Sequence, residues 1–137
     1  MALVLVADDQ ASVRGRIRAL LEGVGHAVVE ARDGAEAIGM LSDKIDLVVT
    51  DVLMPVNDGL EVCRHVRQHF TQLPVIVVTG GWGNAEVGLL SVAVRLGANL
   101  AIPKAGIGSQ LLPAVEELLP SRRARPATKG IGLPPGA

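Results

Sequence analysis

The chain has 137 residues, 49% of them hydrophobic, with 13 basic and 14 acidic side chains for a formal net charge of −1. That length suits one domain with a real core and excludes two of full size. One Phe, one Trp and no Tyr leave the core to Val, Leu, Ile and Ala, and remove the stacking platforms on which single-stranded nucleic acid binds.

Short β-branched runs alternate with amphipathic stretches. Leu3–Ala7 (LVLVA) predicts a first strand, closed by Asp8 and Asp9. Val13, Ile17, Leu20, Leu21 and Val24 then fall at helical spacing, and Gly25 ends the stripe. Ala27–Ala31 (AVVEA) predicts a second strand, and Gly34 precedes a short helix over Ala35–Leu41. Asp46–Thr50 (DLVVT) predicts a third strand, with Asp51 just after it and a loop rich in turn formers: Pro55, Asn57, Asp58 and Gly59. Leu60, Cys63 and Val66 mark the next helix, and Pro74–Thr79 (PVIVVT) the fourth strand. Val87, Leu90 and Val94 mark a helix ended by Gly97, and Ala98–Ile102 (ANLAI) a fifth strand with Lys104 just past it. Leu111, Val115, Leu118 and Leu119 give the last helical stripe.

Alternating strands and helices, with three of the strands nearly continuously apolar, predict an α/β fold. It is a doubly wound, five-stranded parallel sheet with right-handed crossovers. From Pro120 onward the chain holds Arg122, Arg123, Arg125 and Lys129 and no acid, is rich in Pro and Gly, and has no apolar period. The expected organisation is a folded unit over 1–119 and a basic, disordered tail over 120–137. A solvated, idle tail is the favoured reading, and contact with an acidic partner or nucleic acid the other. The single Cys63 excludes an internal disulfide and suits a reducing compartment. No apolar run approaches the roughly 18 residues of a membrane span, and MALVLVA lacks the basic start of a signal peptide. A cytoplasmic protein is expected.

In a doubly wound sheet, ligands bind beyond the carboxyl ends of the strands. Asp8, Asp9, Asp51, Thr79 and Lys104 all fall there. With strand order 2-1-3-4-5, strands one and three are neighbours and three carboxylates meet. Each close pair repels by roughly 1–4 kcal/mol at effective dielectrics of 80 to 20. A hard cation relieves that repulsion, and an all-oxygen site suits Mg²⁺. A carboxylate beside such a metal can serve as nucleophile toward phosphorus, with Lys104 as a second positive contact.

Four segments in register, ADDQ at 7–10, LVVTDVLMPVNDGLEV at 47–62, VIVVTGG at 75–81 and LGANLAIPK at 96–104, resemble receiver domains of two-component response regulators. The resemblance covers residues 1–119 and implies a flavodoxin-like (βα)5 fold. By it, Asp51 is the phosphoacceptor, taking a phosphoryl group from the phosphohistidine of a sensor histidine kinase or a histidine phosphotransfer protein. Asp9, Asp51 and the backbone carbonyl of Leu53 would bind Mg²⁺ directly, Asp8 through metal-bound water. Thr79 and Lys104 would contact phosphoryl oxygens. The readout surface would be the fourth helix, fifth strand and fifth helix, meeting an unknown protein target.

The chain departs from that pattern in four places. Ala105 follows Lys104, where the family often has Pro. Ala101 stands at the switch position, usually Tyr or Phe, and a methyl group cannot report as a moving ring does. The Thr79–Gly97 segment is longer than usual and opens with Gly80, Gly81, Trp82 and Gly83, so Trp82 is a substitute switch or a surface cap. Leu53 and Gly81, positions that influence hydrolysis in the family, offer no side-chain hydrogen bond to water, which implies a moderately long-lived aspartyl phosphate. The expected protein is a stand-alone receiver and not a dedicated enzyme, although it promotes its own phosphorylation and dephosphorylation. It would signal by protein contact or phosphorelay, without direct nucleic-acid binding. The alternatives are a pseudoreceiver that docks a partner unphosphorylated and, weakly, an aspartate-nucleophile phosphatase, which would want an acid where Leu53 stands.

Overall fold

Five short aliphatic segments pair in parallel because helices cover both faces of the sheet they form. The computed structural model describes residues 1–80 and 91–131, with residues 120–131 described by backbone alone. Strands β1 (Leu3–Ala7), β2 (Ala27–Ala31), β3 (Leu47–Asp51), β4 (Val75–Thr79) and β5 (Leu100–Pro103) make one sheet in the order β2-β1-β3-β4-β5. Every pairing is parallel. The expected fold class and strand order are those observed. The central β3 and β4 are buried at every residue, as two-sided coverage requires.

Helices α1 (Ala11–Gly23), α2 (Gly34–Met40), α3 (Gly59–His69), α4 (residues 91–95) and α5 (Ile107–Ile131) complete the layers. Strand side chains alternate between faces. Val4, Val6, Val49, Ile76 and Val78 pack with Ile17 and Leu21 of α1 and with Leu111 and Val115 of α5. Leu5, Val48, Val75 and Val77 pack on the other face with Ala37, Val62, Cys63, Val66 and Ala93. Each fully buried Leu, Ile or Val contributes about 1.5–3 kcal/mol, so an aliphatic core suffices without aromatic rings.

Side-chain caps set the helix starts on this second face. Asp33 accepts a hydrogen bond from the Glu36 amide at 2.8 Å, and the Glu36 carboxylate accepts one from the Arg32 amide, one residue before the cap, at 2.9 Å, a variant of the capping box. Asp58 accepts from the amides of Leu60 and Glu61.

Several details differ from the periodicity reading, among them the fifth strand, which runs over Leu100–Pro103 in place of Ala98–Ile102. The third strand begins at Leu47 and includes Asp51; Asp46 instead accepts a hydrogen bond from the Leu3 amide at 2.9 Å. In α4 the buried residue is Ala93, and Val94 is 54% exposed; Val87 and Leu90 lie outside the described residues. Val24 is also 54% exposed, because α1 ends at Gly23 and Val24 only caps it. The α5 backbone is helical to Ile131, so no helix end marks the composition boundary at residue 119.

Candidate functional site

The sheet order makes the site. Ala7 of β1 is in register with Thr50 of β3, so Asp8 emerges beside Asp51. Next door, Asp51 is in register with Val78 and Thr79 with Pro103, which delivers Thr79 and Lys104 to the same end. Carboxylate oxygens of Asp8, Asp9 and Asp51 all lie within 4.8 Å of one another. The structure therefore brings together the five polar residues expected at this sheet edge.

Asp8 is 1% exposed and Asp51 5%, whereas Asp9 is exposed. The Asp8 amide donates to the Ala31 carbonyl at 3.1 Å, and Asp8 Oδ1 accepts from the Gln10 amide at 2.8 Å. Lys104 Nζ lies 3.2 Å from Asp51 Oδ2 and 3.3 Å from Asp8 Oδ2. It hydrogen-bonds the first and is ion-paired with the second. Asp8 Oδ2 is thus buried with an ionic neighbour and no hydrogen bond.

Burial, then the neighbouring Asp8 charge, pushes the Asp51 carboxyl up to about 6, against the opposing pull of Lys104. Burial likewise raises Asp8. Burial works against the Lys104 ammonium, yet attraction to Asp51 and Asp8 outweighs it and the pKa is raised. One ammonium faces three carboxyl groups. An oxygen-only donor set with more carboxylate charge than its one lysine balances fits a hard divalent cation, and among the described residues only this cluster gathers three such side chains.

The loop after β3 closes under the site. Gly59 packs so tightly that a Cβ there would overlap the Asp51 carbonyl oxygen, and its amide donates to Val52 O at 2.9 Å. Thr79 is 2% exposed at the end of β4. Lys104 opens a single 3-10 turn, Lys104–Gly106, and the Lys104–Ala105 bond is trans, like every described peptide bond. Leu53 donates a backbone hydrogen bond that favours the ionised Asp51; its side chain is 48% exposed. Ala101 sits opposite Val77 on β5 with its methyl exposed. Gly81 and Trp82 lie outside the described residues.

Two arginines went unnoticed in the sequence. Arg14 Nη1 donates to the Asp8 carbonyl at 2.7 Å. Arg67 donates to the carbonyls of Thr71, Leu73 and Gly97, tying the C-terminal end of α3 to the entry of β5. Both act on backbone carbonyls, a role that leaves no motif.

Comparison with known proteins agrees with this geometry. Residues 4–116 match the family described as the response regulator receiver domain. Response regulator MprA of Mycobacterium avium (strain 104) is 39% identical over 124 residues, which are 90% of this chain and 52% of that protein. MprA of Mycobacterium tuberculosis (strain H37Rv) matches to the same extent, so the chain spans about half the length of these curated relatives. Among solved structures, a CheY-like receiver domain protein from Methanospirillum hungatei JF-1 superposes with a TM-score of 0.81 at 21% identity, covering 90% of this chain and 97% of that one. A LuxR-family two-component response regulator from Aurantimonas sp. SI85-9A1 gives 0.77 at 32% identity, covering 89% and 87%. The chain belongs to the response regulator receiver domain family.

Proposed function

We propose that Asp51 accepts a phosphoryl group from the phosphohistidine of a sensor histidine kinase or histidine phosphotransfer protein, with Mg²⁺ as cofactor. The carrying observation is the clustering of Asp8, Asp9 and Asp51 around a buried, hydrogen-bond-free Asp8 Oδ2, with Lys104 3.2 Å from the nucleophile. An Asp51 oxygen attacks phosphorus, the P–N bond breaks with its electron pair to the partner imidazole, and a P–O bond forms. With a carboxyl near 6, Asp51 is ionised at neutral pH and competent to attack. Asp8, Asp9, Asp51 and the Leu53 carbonyl would hold Mg²⁺, which neutralises the incoming phosphoryl charge. Lys104 would exchange its Asp51 contact for a phosphoryl oxygen, and Thr79 would take another.

The protein promotes transfer to and hydrolysis from its own side chain and does not turn over a separate substrate. Its signal leaves by protein contact through the α4–β5–α5 side, where Val92, Val94 and Ala101 are exposed, or by phosphorelay. Among the described residues, no helix is long and apolar enough to cross a membrane. Incubation with acetyl phosphate or a phosphorylated histidine kinase tests the proposal. The expected result is a base-labile acyl phosphate on wild type that needs Mg²⁺ and is absent from Asp51→Ala. No Asp51-dependent phosphorylation from any donor would instead make the chain a pseudoreceiver.

A further inference from the structure

The Asp8 peptide is held from both sides. Its N–H donates to Ala31 O of β2 at 3.1 Å, and its carbonyl accepts from Arg14 Nη1 of α1 at 2.7 Å. Arg14 is itself held: Nε donates to Glu30 Oε1 at 2.9 Å, and Glu30 Oε2 accepts from Arg18 Nη1 at 2.7 Å. The Arg14 side chain is only 12% exposed, far less than the 42% of Arg18. Hydrogen bonds from Arg18 and Arg14 hold the Glu30 carboxyl below the usual range, so it stays an acceptor at neutral pH.

We propose that Arg14, oriented by Glu30, is a positioning residue that fixes the Asp8–Asp9 backbone for Mg²⁺ binding. This rests on the metal site proposed above. Asp8 Oδ1 is already committed to the Gln10 amide at 2.8 Å, so backbone placement decides where Oδ2, the oxygen facing Lys104, sits. Asp9 is exposed and follows directly on the clamped carbonyl, so the same peptide plane sets its carboxylate. A guanidinium can serve a carbonyl and a carboxylate at once because its donors form a rigid fork. A lysine ammonium at the end of a flexible stem does not reproduce that fork. Arg18 supplies the contrast: it shares Glu30 but makes no contact with Asp8.

The test is Mg²⁺ titration of the full chain by calorimetry for wild type, Arg14→Ala, Arg14→Lys and Arg18→Ala, alongside metal-free amide NMR spectra and unfolding midpoints. Arg14→Ala should weaken Mg²⁺ roughly ten-fold, the lower end of what partners behind the metal ligands contribute. Arg14→Lys should recover little, and Arg18→Ala should bind as wild type does. Metal-free amide shifts of Asp8 and Asp9 should move in the Arg14 variants and stay put in Arg18→Ala, even where both lower the midpoint. Arg14→Ala binding Mg²⁺ as tightly as Arg18→Ala overturns the positioning role. Wild type that binds no Mg²⁺ overturns the metal site itself, and the Arg14 role with it.

Discussion

Asp51, the proposed nucleophile, sits in a place that resists its charge. Burial and the Asp8 carboxylate push its carboxyl from 3.8 to about 6. A group whose folded pKa is raised contributes stability that is full below its unfolded pKa and lost as pH rises through the folded one. For Asp51 that window runs from about 4 to 6, and the loss is on the order of 3 kcal/mol at 1.36 kcal/mol per pKa unit. Asp51→Asn escapes it. The variant should be more stable than wild type at pH 7.5 without divalent cation, and the gap should close as pH falls toward 4. Equal denaturation midpoints at pH 7.5 would show that Lys104 already compensates the charge. Mg²⁺ should narrow the gap by stabilising the wild type more than the variant. The conflict was half legible in sequence. That Asp8, Asp9, Asp51, Thr79 and Lys104 share one place follows from strand order, because polar residues at the ends of apolar strands in a parallel sheet fall on one edge. Their burial does not follow, since it depends on how the surrounding loops close.

The loop between β3 and α3 carries its own strain. Val56 has φ 48° and Asn57 φ 62°, both in the left-handed region. Asn tolerates that conformation, but a β-branched Val there is an outlier. Val56 is 65% exposed, so its side chain gains little from burial. Its carbonyl accepts from the Ala35 amide at 3.2 Å, which draws the loop onto the start of α2. Val56→Gly keeps that hydrogen bond and should stabilise the protein by about 1 kcal/mol, the left-handed penalty less the added freedom of glycine, read from urea unfolding. A loss of stability would mean that the Val56 side chain contributes more than its exposure suggests. Turn formers Asn57, Asp58 and Gly59 announced a loop in sequence, and Asp58 and Gly59 settle where α3 begins. Nothing announced Val56, whose residue type argues against the conformation it holds. The same limit hid the start of β3: Asp46 and Asp51 flank one apolar run, and only pairing with β1 and β4 decides which carboxylate is a turn acceptor and which belongs to the strand. Arg67 shows it again. Its charge reads as helix surface, yet it satisfies three carbonyls beyond its own helix.

One sheet serves both cores, so the two faces should rise and fall together. Val4 and Val6 pack toward α1 and α5, Leu5 and Ala7 toward α2 and α3; opening either face strips apolar cover from the same strand. The alternation was visible in LVLVA, although period alone could not say which helix covers which side. Cooperativity of this kind would let an event at the carboxyl end of β1 and β3 be felt across the molecule. Cys63 can measure it. The only cysteine is fully buried on the inner face of α3, and burial pushes its thiol up to about 12, so a thiol reagent reaches it only through opening. A ligand that binds only the folded state lowers the open population by a factor of 1 + [L]/Kd. Mg²⁺ at about 100 times its Kd should therefore slow Cys63 labelling about 100-fold, equivalent to about 2.7 kcal/mol, if opening is global. Asp51→Asn should show much less slowing at the same Mg²⁺ concentration. If Mg²⁺ leaves wild-type labelling unchanged while calorimetry shows it bound, α3 opens alone and the sheet does not couple its faces.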